Sequence, residues 1–136
     1  MKLRLRGNSV RLRLTKREVA NLVGIGLVEE SLHAGPGPDD IFRYRLEAGS
    51  DHPRVHSRLE QGALIVQVPV AAAADWANSA KVGLYAEMPW GLKIAIEKDF
   101  RCLDATRPED ESDSFDHPGV GLNLTCVPNP AGESAG

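Results

Sequence analysis

The sequence predicts an α+β fold in which two β-β-α-β-β units form an antiparallel sheet, or a partly closed barrel, of about eight strands with two helices on its apolar face. Three observations carry this. Short runs of alternating apolar and polar residues recur up to Lys98, the period of half-buried strands. A helix start follows such a run at two comparable places, Thr15-Lys16-Arg17-Glu18 and Pro69-Val70. An offset of 54 residues lays Val10, Leu12 and Leu14 on Leu64, Val66 and Val68, and Leu22 on Trp76. The chain therefore reads as a pseudo-duplication.

In the first unit, Leu3 and Leu5, then Val10, Leu12 and Leu14, alternate with arginines on either side of Gly7-Asn8. That dipeptide suits a two-residue hairpin turn, and such a turn fixes the register: Arg6 opposite Ser9, Arg4 opposite Arg11, Lys2 opposite Arg13. Thr15 with Glu18 three residues on is a capping box, and Val19, Leu22 and Val23 supply the apolar face of a short helix. Gly24 and Gly26 end it. A strand over residues 27–33, a turn-rich loop over 35–40 and a strand over 41–47 complete the unit. The second unit repeats the order, with a strand over 54–60, a Gln61-Gly62 turn and a strand over 64–68. Pro69 stands where Thr15 stood, in a first helical turn that tolerates proline. An alanine-rich helix over 70–78 is anchored by Trp76. Strands over 82–87 and 92–97 flank Met88-Pro89-Trp90-Gly91.

The expected organisation is one domain over residues 1–127, with repeat-like halves 1–48 and 53–98 and an acidic irregular segment 99–127, and then a flexible tail over 128–136. A chain of 136 residues suits a single core. Its net charge of −3 gives no basic excess that would point to nucleic acid. Cys102 and Cys126 make no disulfide framework and no zinc pair, which fits a reducing, cytoplasmic setting. Residues 1–14 alternate where an export signal needs an unbroken apolar block. The longest apolar stretch, residues 62–74, is broken by Gln67 and Pro69 and is too short to span a bilayer. No membrane partner is expected.

The run from Lys2 to Thr15, with Gly7-Asn8-Ser9 at its centre, resembles the opening of an uncharacterised bacterial protein family. So does the block Trp90-Gly91-Leu92-Lys93, followed by Glu97-Lys98-Asp99-Phe100, Cys102-Leu103 and the acidic Glu109-Asp110-Glu111. Phe115-Asp116-His117-Pro118 stands where that family has a Phe-Pro-Asn-Pro-like ending. The resemblance covers most of the chain and implies no activity, and it leaves any cofactor unknown.

The residues that point to chemistry are the bases of the polar sheet face. The hairpin register sets Arg4 against Arg11 and Lys2 against Arg13, and like charges facing each other cost roughly 0.2–1 kcal/mol per pair. Something negative is therefore expected nearby. Propagated through the other strands, that face gathers Arg43, Arg45 and Arg58 with Lys2, Arg4, Arg6, Arg11 and Arg13, joined by Arg54, His56 and Lys93; its acids are Glu47, Glu60, Glu87 and Glu97. Arginine forks suit phosphate and carboxylate groups. The face is thus a candidate site for an anionic small molecule or an acidic protein segment; alternatively the stretch 99–116, held down by Phe100, Leu103 and Phe115, folds back and neutralises it, or the arginines are simply solvated.

If the strands closed into a barrel with the charged face inside, the chain would look like the triphosphate tunnel enzymes, which would imply a metal-dependent hydrolase of triphosphate or phosphate esters. Their Glu-x-Glu-x-Lys first strand is replaced here by Lys2, Arg4 and Arg6. A third possibility is a homo-oligomer or partner-assembly module that uses edge strands such as residues 27–33.

Other chemistry finds less support. Cys102, His117 and Cys126 follow no zinc spacing, and Glu109, Glu111 and Asp113 lack a calcium-loop pattern. No serine elbow occurs. Gly24-Ile25-Gly26 closes a helix instead of opening one. Tyr44, Tyr85 and Trp90 are too scattered for a base-stacking platform.

Overall fold

The computed structural model describes residues 1–100 and Phe115. The interior of the acidic stretch, Cys102, His117, Cys126 and the expected tail lie outside the described residues. The element order is β1 (Lys2–Arg6), β2 (Ser9–Leu14), α1 (Lys16–Gly24), β3 (Leu27–His33), β4 (Ile41–Gly49), β5 (His56–Glu60), β6 (Ala63–Pro69), α2 (Val70–Ala77), β7 (Gly83–Glu87) and β8 (Lys93–Lys98). The eight strands and two helices among the described residues make an α+β fold, with the element order β-β-α-β-β occurring twice along the chain.

Local chemistry explains each boundary. Gly7 takes φ 54°, as the first residue of a two-residue turn requires, and Gln61 and Gly62 are both left-handed at φ 48° and 78°. At the start of α1 the Thr15 hydroxyl accepts from the Glu18 amide, and the Thr15 amide donates to Glu18 Oε1 at 2.9 Å. The capping box is complete. Glu18 also takes the α-ammonium group of Met1, which Glu30 of β3 shares. Burial by itself opposes that charge, yet the two carboxylates raise its pKa above the usual α-amino value. α2 begins after Pro69 without a side-chain cap, so packing holds it. Trp76 is fully buried, and its indole N–H donates to the Val82 carbonyl at 3.1 Å.

The strand neighbours differ from the expectation. An all-antiparallel sheet or barrel is not formed; the strands make two separate mixed sheets, ordered β1-β2-β8-β7 and β3-β4-β6-β5. β2 runs parallel to β8, and β4 parallel to β6, with antiparallel hairpins outside them. No closed barrel exists among the described residues. Alternation in sequence specifies which face a residue takes and is silent on which strand lies alongside. What decides the neighbours is burial, since the central pairs join Leu12, Leu14, Leu46, Val66, Val68 and Ile96, all close to fully buried. Each sheet takes one hairpin from each half. The apolar faces of both sheets and the inner sides of α1 and α2 share one core around Leu22 and Trp76.

The end of β8 is tied down further. The Asp99 amide donates to the Leu14 carbonyl and the Phe115 amide to the Asp99 carbonyl. The Phe115 ring meets Phe100 edge to face. Lys98 is buried with its ammonium 2.7 Å from the Ser79 carbonyl and over the rings of Trp76 and Phe115. Burial lowers its pKa.

Candidate functional site

The polar face of the first sheet is built by register. Directly paired residues lie on one face, so one row across the strands reads Arg6, Ser9, Lys93, Glu87. The next reads Arg4, Arg11, Ala95, Tyr85, and the last Lys2, Arg13, Glu97, Gly83. The hairpin pairings predicted from Gly7-Asn8 are the ones observed. This face carries six bases against two acids.

The negative partner demanded by the facing arginines is mainly Glu97. Its carboxylate lies 3.5 Å from Arg11 Nε and 3.6 Å from Arg13 Nε, and it accepts the Tyr85 hydroxyl at 2.8 Å. Burial and this bond raise the Tyr85 pKa, so the phenol is a donor at neutral pH. Tyr85 leans over Gly83 to reach Glu97: a Cβ on Gly83 would stand 2.9 Å from the tyrosine hydroxyl. Lys2 pairs with Asp99 at 3.1 Å, so the first residue of the acidic stretch does meet the basic face; the interior of that stretch lies outside the described residues. Arg4, Arg6 and Lys93 have no ion-pair partner among the described residues.

These free bases border a trough of about 560 Å³. Arg4, Arg6 and Arg11 lie on its β1–β2 side, Tyr85 and Glu87 on its β7 side, and Ala95 and Lys93 between. Ala95 is the reason for the hollow, because it places a methyl group at the centre of a row whose other members are long.

The second sheet offers the control. Arg43, Arg45 and Arg58, expected on the same face as the N-terminal arginines, lie on a different sheet. The row Glu29, Arg45, Ile65, Arg58 matches the row that holds Ala95, with Arg45 in the alanine's place. Arg45 bonds Glu29 at 2.8 Å and Glu47 at 3.1 Å, and Arg58 lies 3.3 Å from Glu60. Three bases here face three acids, and the paired arginines bury Ile65 to 2 % exposure. This face balances its charges and holds a smaller hollow of about 270 Å³, beside which Arg43 has no ion-pair partner among the described residues. The polar face therefore splits into a charge-balanced surface and a base-rich trough.

Sequence reasoning placed Lys93 on the face but missed Tyr85 and Ala95. The only signal for them was position: Tyr85 alternates with the half-buried Leu84 and Ala86, and Ala95 with the buried Ile94 and Ile96, on strands whose neighbours were unknown. Among the described residues no group of three or more His, Cys, Asp or Glu side chains could hold a metal ion. No described helix is long and apolar enough to cross a membrane.

Neither the curated proteins nor the solved structures contain a match to the chain. Residues 1–119 match the model of a family described as "Family of unknown function (DUF7009)". That span holds both hairpin–helix–hairpin units and every residue of the trough, and the chain belongs to this family.

Proposed function

We propose that the protein is a small-molecule binding protein that holds a phosphate- or carboxylate-bearing ligand in the trough of the first sheet. The observation that carries the reading is the contrast between the two polar faces. One pairs Arg45 and Arg58 with its own acids, while the other leaves Arg4, Arg6 and Lys93 without an ion-pair partner among the described residues, around the larger of the two hollows. Charge on an edge strand is a common defence against aggregation, and that accounts for Arg4 and Arg6 on β1. It leaves Lys93, on a central strand, unexplained. A ligand explains all three, since guanidinium forks and an ammonium group are suited to anionic oxygens. The hollow is also within the size range of small-ligand pockets.

Duplication supports the same reading. The Ser9–Lys93 and Leu14–Lys98 pairings of β2 with β8 become Ala63–Arg43 and Val68–Ala48 when β2 is shifted onto β6 and β8 onto β4. Those are the observed pairings. On this reading the two faces are duplicates that diverged, one toward internal ion pairs and one toward an open site.

Thermal unfolding with pyrophosphate, in the presence of a chelator, tests the proposal. Ligand at a hundred times its Kd should stabilise the fold by about 2.7 kcal/mol. Arg4→Ala with Arg6→Ala should abolish the shift, and Lys93→Ala should reduce it. Arg43→Ala on the other sheet should leave it unchanged. No shift with pyrophosphate, citrate or any nucleotide would overturn the reading.

A further inference from the structure

The trough is polar along its length. Arg4, Arg6 and Arg11 lie at the β1–β2 end, and the carboxylate of Glu87 lies at the β7 end. Glu87 sits opposite Lys93 in the register, yet it has no ion-pair partner among the described residues. An internal pair between these neighbours would have balanced their charges, as the pairs of the second sheet do. Between the two ends is the Ala95 methyl group, flanked on the β7 side by the ring of Tyr85. Tyr85 is 62 % exposed although its hydroxyl is fixed on Glu97 and seated over Gly83. An aromatic side chain with a tethered tip and a bare face is a preset stacking surface, which spares the ordering cost that a free side chain would add.

We infer that the ligand is a phosphorylated compound with a planar ring and a hydrogen-bond donor at its far end, of the class of an amino-bearing mononucleotide. This rests on the anion reading and adds to it. The phosphate takes Arg4 and Arg6, the ring lies over Ala95 against Tyr85, and the exocyclic amine donates to Glu87. Four strands spaced about 4.8 Å apart set the two ends of the trough roughly 14 Å apart, a span that calls for an elongated ligand and exceeds what a single phosphate can bridge. A polyphosphate would instead place negative charge beside Glu87, where the trough offers a like charge.

Calorimetric titration of the whole chain with four probes tests this: ribose 5-phosphate, adenosine 5′-monophosphate, inosine 5′-monophosphate and pyrophosphate. The adenine nucleotide should bind roughly 5- to 100-fold more tightly than ribose 5-phosphate, the range expected for one stacked base. It should exceed the inosine nucleotide, which presents a carbonyl in place of the amine, by about tenfold or more. Tyr85→Leu should bring adenine nucleotide binding down to that of ribose 5-phosphate and leave ribose 5-phosphate itself unchanged. Glu87→Gln should erase the preference for adenine over inosine. Equal binding of the adenine nucleotide and ribose 5-phosphate would overturn the inference and leave the anion site standing, as would a Tyr85→Leu variant that weakens both alike. No binding of any of the four probes would overturn both.

Discussion

Replacing Glu97 by glutamine should make the protein less stable and a better ligand binder at once. In the folded chain Glu97 holds Arg11, Arg13 and the Tyr85 hydroxyl. Both guanidinium groups are about two-fifths exposed, at 38 % and 44 %. Their pairs are therefore worth only ~0–1 kcal/mol each. The Tyr85 bond weakens from charge-assisted to neutral, so the total loss should be about 1–2 kcal/mol. Ligand binding shifts the other way. Glu97 stands two residues along β8 from Ala95, about 7 Å away. With an effective permittivity of roughly 40–80, removing its charge favours each ligand charge by about 0.6–1.2 kcal/mol. For two ligand charges that is roughly an 8- to 60-fold gain. Urea unfolding measures the first effect, and titration with pyrophosphate at low salt the second. The affinity gain should shrink in 1 M salt, where screening acts over about 3 Å. An unchanged or weakened affinity would refute the reasoning, because Glu97 would then not be competing with a ligand for Arg11.

The other expectations test shape, core and pH. Ala95→Arg copies the occupant of the second sheet into the trough. It adds positive charge, yet it should weaken pyrophosphate binding at least about tenfold by filling the hollow, with stability changed by no more than about 0.5 kcal/mol; tighter binding would show that charge alone makes the site. Trp76→Ala should cost about 3–5 kcal/mol in urea unfolding. The Val82 carbonyl keeps the Lys98 amide as a partner, so no orphaned acceptor adds to that cost. Trp76→Phe should cost nearer 1 kcal/mol, and a loss below about 1.5 kcal/mol for the alanine variant would contradict the packing. The α-ammonium group of Met1 has a folded pKa raised above its ordinary value of 8.0. Its contribution to stability is therefore complete below pH 8 and is lost as pH climbs through the raised value. Glu30→Gln, at a carboxylate 40 % exposed and with Glu18 still in place, should cost about 1 kcal/mol at pH 7 and progressively less at higher pH; a difference that stays constant to pH 10 would remove the ammonium from the account.

Local signals in the sequence reached a long way. Gly7-Asn8 set the turn and with it the cross-strand pairs of the basic hairpin, and Thr15 with Glu18 set the start of α1. Trp76, one large apolar residue in a run of alanines, marked the core. Each of these is a short-range effect that one stretch of chain decides alone. The parallel pairing of β2 with β8 is different in kind, because it depends on burial summed over elements from opposite ends of the sequence. Without it Arg43, Arg45 and Arg58 were assigned to the wrong company, and Ala95 looked like any small strand residue. A hollow is legible only when its walls are known.

The division of strands between the sheets has a consequence for how the fold assembles. The second sheet is drawn from one continuous stretch, from Leu27 of β3 to Pro69 of β6, and it can be completed while the rest of the chain is still emerging from the ribosome. The first sheet joins the opening hairpin to the closing one, so β2 has no inner neighbour until β8 has been made. Contacts so distant in sequence form slowly and late. The trough lies across that seam, with Arg4 and Arg11 contributed by the beginning of the fold and Tyr85 and Lys93 by its end. A molecule bound there would act as a clasp on the last step of folding, slowing amide exchange in β2 and β8 while leaving β4 and β6 to open at their own rate.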